Sequence, residues 1–227
     1  MYKYNPKEKK YEKILIGRKI ETKQLERFFF GNKSCSLTGP NGIGKTYLKD
    51  VLKNKFEKET KEHNVYFVNY DVKLRTTKEQ VKLSIREFWE AIVLALPDEE
   101  ELTECLKEKE QFAKSIEKIV NKDEDVYDCD KIDRYVKSLL KAYATVGIHL
   151  LLCLDEFDRV QGYDCEFFRI ISDIERNSKN LTILFISRKR LNQIAPKNPE
   201  LFKEVEQISL KGFSNKDLIE LSGYFWE

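Results

Sequence analysis

The segment Gly39-Pro40-Asn41-Gly42-Ile43-Gly44-Lys45-Thr46 spaces glycines, a lysine and a hydroxyl as G-x-x-x-x-G-K-[ST]. The glycines let the backbone curl until successive N–H groups point into one hollow, and a helix starting behind the loop adds its dipole to them. Such a loop holds phosphate groups. Lys45 is placed to reach the outer phosphates, and the Thr46 hydroxyl to ligate Mg²⁺, a hard cation that takes oxygen ligands. Tyr47, next in the chain, closes the run of candidate ligand-binding residues.

Phosphoryl chemistry also needs a carboxylate near the metal, at the end of a buried strand. Leu150-Leu151-Leu152-Cys153-Leu154 is the continuous apolar run expected of a central parallel strand, and Asp155-Glu156 follows it. Asp155 has the position of a Walker B metal carboxylate. Glu156 has another use, because a second acid beside the metal ligand can polarise a water for in-line attack on a γ-phosphate. Asp158 admits two readings, part of a D-E-x-D run as in helicases or a cap on the helix that follows. Ser187-Arg188-Lys189-Arg190 crowds three cations after a further apolar run, at the edge where parallel sheets bind ligands. Arg188 is the candidate there for stabilising charge on a transferring phosphoryl group.

The elements that must position these groups follow from hydrophobic period. Cys35-Ser36-Leu37 reads as a short buried strand, and Leu48, Val51, Leu52 and Phe56 give the helix behind the loop one apolar face. Val65 to Tyr70, Leu150 to Leu154, Thr182 to Ile186 and Gln207 to Leu210 read as four more strands. Helices are predicted over Glu21–Phe30, Thr77–Leu96, Ile132–Tyr143 and Phe167–Ile174, and Ser214 with Asp217 forms an N-cap pair for a last one. Strands alternating with helices imply a parallel sheet covered on both faces. Cys35 and Cys153 read as small core residues, and His149 as structural.

A chain of 227 residues fits one domain with an appendage, long enough to bury a core. The net charge of +2 argues for no polyanion by itself. Its distribution is uneven: residues 1–25 hold eight basic and three acidic side chains, whereas residues 98–130 hold thirteen acids and five lysines. That acidic stretch disfavours nucleic acid as a partner. Five scattered cysteines without a C-x-x-C pair suggest neither a disulfide framework nor a zinc site, and two histidines nearly exclude chemistry built on several. No apolar run reaches membrane-spanning length and no signal core opens the chain, so a cytoplasmic location is expected.

Across almost its whole length the chain resembles the bacterial STAND branch of the AAA+-like P-loop ATPases. Ile14 to Glu21 is similar to the family's hydrophobic G-R-x-x-E opening, followed in order by the loop Gly39 to Thr46, the run Leu154-Asp155-Glu156-Phe157-Asp158, and Ile186-Ser187-Arg188. The resemblance implies an α/β P-loop NTPase sandwich, with five parallel strands in the order 5-1-4-3-2 and helices on both faces. It implies ATP with Mg²⁺, Arg18 on the adenine side, Ser187 at the ligand edge and Arg188 as a γ-phosphate sensor. The expected organisation is an N-terminal segment and opening helix at 1–30, a core at 31–211 with an acidic helical insertion at 98–128, and the start of a helical lid at 212–227. Self-association or further carboxyl-terminal domains are then the expected partners.

The leading function is an ATP-hydrolysing switch, slow in isolation, in which γ-phosphate occupancy sets the arrangement of neighbouring domains or protomers. The D-E-x-D run and the basic amino-terminal segment point instead to a DNA-handling ATPase such as an initiator or transposition helper. A non-hydrolytic nucleotide-binding scaffold is a third reading, against which Glu156 weighs. A small-molecule kinase, with Arg75 and the charged insertion as an acceptor lid, is a fourth.

Overall fold

The apolar runs pair where their length and bulk predict. The computed structural model describes residues 2–5, 10–13, 17–59, 65–72, 129–145, 147–162, 165–197, 199–215 and 217–219. The expected helix over Thr77–Leu96 and the acidic insertion at 98–128 lie outside the described residues.

After a hairpin of β1 (Tyr2–Asn5) and β2 (Lys10–Lys13), the strands are β3 (Cys35–Thr38), β4 (Val65–Asp71), β5 (His149–Asp155), β6 (Leu181–Ser187) and β7 (Glu206–Ser209). The last five form one sheet in the order β4-β5-β6-β3-β7, with every neighbouring pair parallel. Counting only these five strands, the order is the expected 5-1-4-3-2 read from the β7 edge. The antiparallel hairpin, with Tyr2 opposite Lys13, was not expected. Tyr-Lys-Tyr and Lys-Tyr-Glu-Lys do alternate with period two, but over too few residues to stand out among the surrounding charges.

Helix α1 (Lys19–Phe30) precedes β3, α2 (Lys45–Glu59) follows the glycine loop, and α3 (Cys129–Thr145) and α4 (Cys165–Asn177) flank β5. A 3-10 helix at Phe157–Gly162, a short helix α5 (Leu191–Ile194) and a 3-10 turn at Pro199–Phe202 are additions to the expected elements. Residues alternate across the sheet as strand pleating demands. Leu150, Leu152, Leu154, Ile183 and Phe185 pack with α3 and α4, whereas Leu151, Cys153, Leu184 and Ile186 pack with Leu25 and Phe29 of α1 and Leu48 and Leu52 of α2. Each fully buried side chain of this size contributes about 1.5–3 kcal/mol relative to exposure.

One aromatic cluster bears directly on the functional edge. The Phe157 ring lies edge-on to Phe185 at 4.9 Å, and Phe185 to Phe202 at 5.4 Å. Phe157 therefore pins the turn that begins immediately after Asp155 and Glu156. Parallel register brings the other edge residues level with it, pairing Thr38 with Ser187 and Leu154 with Phe185. Cys35 and Cys153 are buried free thiols, and burial, helped by Glu206, raises the Cys35 pKa far above the ordinary thiol value, which keeps it protonated. His149 opens β5 and its Nε2 lies 2.9 Å from the Thr182 hydroxyl, a structural placement.

Candidate functional site

The loop leaves the central strand β3 under tight constraint. Leu210 N–H donates to Thr38 O at 2.7 Å and Gly39 N–H to Ser187 O at 3.3 Å. A Cβ on Gly39 would come within 3.1 Å of both the Ile43 side chain and the Leu210 carbonyl, tight enough that a larger residue would have to push them aside. Gly42 and Gly44 adopt φ of 75° and 98°, which L side chains rarely do, and among the described residues no atom lies within 4 Å of where a Cβ on either would sit. Lys45 closes the curl from within, its Nζ donating to the Gly39 and Pro40 carbonyls at 2.7 and 2.9 Å. Burial lowers the Lys45 ammonium below its ordinary pKa, Asp158 and Asp155 pull it partly back up, and Arg188 adds to the lowering.

At the head of α2, Thr46 Oγ1 donates to Asp155 Oδ2 at 3.1 Å. Lys49, one turn further along, donates to the same oxygen at 2.9 Å, and Glu156 N–H donates to Asp155 Oδ1 at 2.9 Å. Both oxygens of this buried carboxylate are thereby oriented. Oxygen donors from Thr46 and Asp155 on one spot are the hard-ligand set that suits Mg²⁺.

Glu156 sits in the left-handed region at φ 55°, with its side chain 48% exposed and ion-paired to Arg159. Arg159 also donates to the Val72 carbonyl at 3.1 Å, which ties the acid to the end of β4. Asp158 lies in the first turn of the 3-10 helix Phe157–Gly162. It grips the end of β6, accepting from Arg188 N–H at 3.0 Å and from Arg188 Nε at 2.6 Å. Burial pushes the Asp158 carboxyl up, but the backbone N–H and guanidinium of Arg188 together hold it below the usual carboxylate range. The Ser187 hydroxyl donates to the Lys189 carbonyl and fixes the same turn.

These groups line one cleft of about 460 Å³, formed by Asn41, Gly42, Gly44 to Tyr47, Asp155, Glu156, Asp158, Arg159, Ser187 and Arg188. Its size suits a small-molecule ligand. Arg18 stands apart from the lining. Its guanidinium lies over the Phe213 ring at 4.7 Å, bonds to Glu21 at 3.1 Å and donates to the Ile43 carbonyl at 3.3 Å, bracing the loop from outside. Sequence reasoning missed Lys49 and Arg159. Lys49 was within reach: positions three apart on a helix share a face, so a Thr46 that meets Asp155 brings Lys49 with it.

A glycine loop between the first strand and its helix, with an acid pair after the third strand of a 5-1-4-3-2 parallel sheet, defines a P-loop NTPase domain of AAA+-like type. The family described as an AAA domain matches residues 27–195, and the chain belongs to that family. No curated protein matches the chain by sequence.

Among solved structures, the chain is similar to the Aeropyrum pernix ORC1 protein in complex with DNA, at TM-score 0.59 and 12% identity, over 94% of this chain and 50% of that one. The Aeropyrum pernix ORC2 protein in its ADPNP-ADP complexes gives 0.59 and 14%, over 94% and 53%. The Walker-type ATPase PABY2304 of Pyrococcus abyssi gives 0.57 and 13%, over 93% and 58%. The chain thus spans about half the length of the first two. Identities this low establish the fold. Nothing in these comparisons supports the expectation, drawn from the acidic stretch at 98–130, that nucleic acid is disfavoured. Among the described residues no helix is long and apolar enough to cross a membrane.

Proposed function

We propose that this domain binds and hydrolyses ATP with Mg²⁺ and acts as a switch of STAND type, in which the state of the γ-phosphate position is passed to neighbouring domains or protomers. The observation that carries this reading is the convergence of Lys45, Thr46, Asp155, Glu156 and Arg188 on one cleft. The loop N–H groups and Lys45 hold the phosphates, and Lys45 exchanges its carbonyl partners for phosphate oxygens. Thr46 and Asp155 hold Mg²⁺, which when bound offsets charge on the phosphate oxygens. Glu156 takes a proton from a water as its oxygen bonds the γ-phosphorus and the bond to the ADP oxygen breaks, giving ADP and phosphate. Before it does so, Glu156 must leave Arg159. Arg188 senses the γ-phosphate only by turning from Asp158, and that exchange links occupancy of the cleft to the β6 edge. Arg18 fixes Ile43 of the loop, and its adenine contact rests on family resemblance alone.

Two resting ion pairs at the reacting position support slow turnover in isolation. The test is Mg-ATP binding by calorimetry and single-turnover phosphate release, comparing wild type with Glu156→Gln. Binding with Glu156-dependent release supports the switch, whereas turnover that survives in the variant removes Glu156 from its role. Binding without release in wild type favours a nucleotide-dependent scaffold.

A DNA-handling role is the second reading, favoured by the likeness to ORC1 in complex with DNA over 94% of this chain and by the basic residues at 1–25. Duplex binding whose affinity falls steeply with ionic strength would support it, and no binding at low salt would end it.

A further inference from the structure

The cleft contains three carboxylates, and each is held by its own cation: Asp155 by Lys49, Asp158 by Arg188 and Glu156 by Arg159. The Lys49 pair differs from the other two. Both of its side chains are 5% exposed, whereas Arg188 is 52% and Arg159 37% exposed, so water screens the Lys49 pair least. Lys49 also meets Asp155 at Oδ2, the oxygen that accepts from Thr46. The two candidate metal-holding groups and a buried ammonium therefore converge on a single atom.

We propose that Lys49 is a positioning residue for the metal subsite, an internal counterion that holds Asp155 toward Thr46 before metal arrives and that admits a divalent cation only together with nucleotide phosphates. The inference rests on the reading of Thr46 and Asp155 as the metal-holding pair. A lone carboxylate attracts a dication with its full charge, but a carboxylate with an ammonium 2.9 Å away presents only a dipole. A bare cation would also meet the positive charges of Lys49 and Lys45. The phosphates of a nucleotide reverse that balance, and metal and nucleotide then enter as one unit.

The experiment titrates Mn²⁺, followed by electron paramagnetic resonance, into nucleotide-free protein. Lys49→Met is expected to bind Mn²⁺ at least about tenfold more tightly than wild type, and Lys49→Arg to stay within about twofold of wild type. Equal affinity in wild type and Lys49→Met overturns the proposal. Should Lys49→Met fail to fold, the wild type decides through its ¹³C-labelled lysine ε-methylene signals. The Lys49 signal is expected to stay in place with millimolar Mg²⁺ alone and to move when ADP is added with it; movement with Mg²⁺ alone overturns the proposal. Nucleotide binding with equal Mn²⁺ affinities fells the Lys49 role alone, whereas failure of wild type to bind either Mg-ATP or Mg-ADP fells the underlying reading and the proposal together.

Discussion

The two ends of the same parallel strands are finished with opposite chemistry. At the carboxyl end buried acids are paired with cations: Asp155 with Lys49, and Asp158 with Arg188, which holds the Asp158 carboxyl low despite burial. At the amino end burial works toward neutrality. It lowers the pKa of His149, whose ring meets the Thr182 hydroxyl, and raises that of Glu175, against the opposing hydrogen bond from Ser34. Ser34 Oγ also accepts from Ile183 N–H at 3.0 Å, and Asn180 Nδ2 donates to the Leu140 and Ile148 carbonyls at 2.9 and 3.2 Å. Neutral bonds of that kind close an edge and have nothing further to exchange. Buried ion pairs add little net stability, because desolvation offsets much of their attraction, but a charged ligand can trade places with either partner. One edge holds the fold together, and the other holds charges ready for exchange.

Substitutions at the charged edge should therefore act on function, and at Asp158 on stability as well because its partner is left unpaired, whereas substitutions at the neutral edge should act on stability alone, by small amounts. The largest expected effect is from Glu156→Gln, which should slow single-turnover phosphate release by about 10²–10⁴-fold while nucleotide binding survives. Lys45→Ala should remove binding itself, as seen by calorimetry. Asp158→Asn should lower stability by about 2 kcal/mol in urea melts, short of the about 3–5 typical of breaking a fully buried pair, because Arg188 is half exposed.

The same pair predicts a pH dependence. The folded pKa of Asp158 lies below its ordinary value of 3.8, so its contribution is fully present above that value and is lost as pH falls through the folded pKa. Acid melts of wild type should show this loss, and those of Asp158→Asn should lack it. His149 carries the opposite charge type with the same outcome. Its folded pKa is depressed below 6.5, so the unfolded chain takes up more protons and stability falls as pH drops below 6.5. Melting temperatures at pH 7.5 and 5.5 should diverge less in His149→Asn than in wild type. The smallest effect is at Glu175, where Gln should raise stability at neutral pH by less than about 1 kcal/mol, because burial opposes the charged form there. A loss of nucleotide turnover in either amino-edge variant would break the contrast.

Only the carboxyl-edge groups were legible before the fold was known, and among them the division follows sequence distance. The glycine loop is contiguous, and Asp155 directly follows its own apolar strand, so local pattern was enough to find them. The strand order followed from family resemblance and was not readable from the spacing of the strands. The pairs that tune the site join distant positions: Lys49 to Asp155 across 106 residues, and Arg188 to Asp158 across 30. Such partners depend on register between strands, which hydrophobic period does not encode. Arg159 lies only three residues from Glu156, yet its role depends on a 3-10 turn that hydrophobic period does not reveal.

The backbone at Glu156 bears on how such a domain can change by descent. A non-glycine residue in the left-handed region carries a cost of about 1–2 kcal/mol that glycine would not. Glu156→Gly should consequently yield a sturdier protein that no longer turns over nucleotide. Selection for robustness alone would favour erasing this carboxylate, so under the proposed role a lineage that keeps it carries a standing thermodynamic handicap in exchange for catalysis. Relatives released from that demand should drift toward glycine at this position sooner than at Asp155, whose backbone carries no such burden.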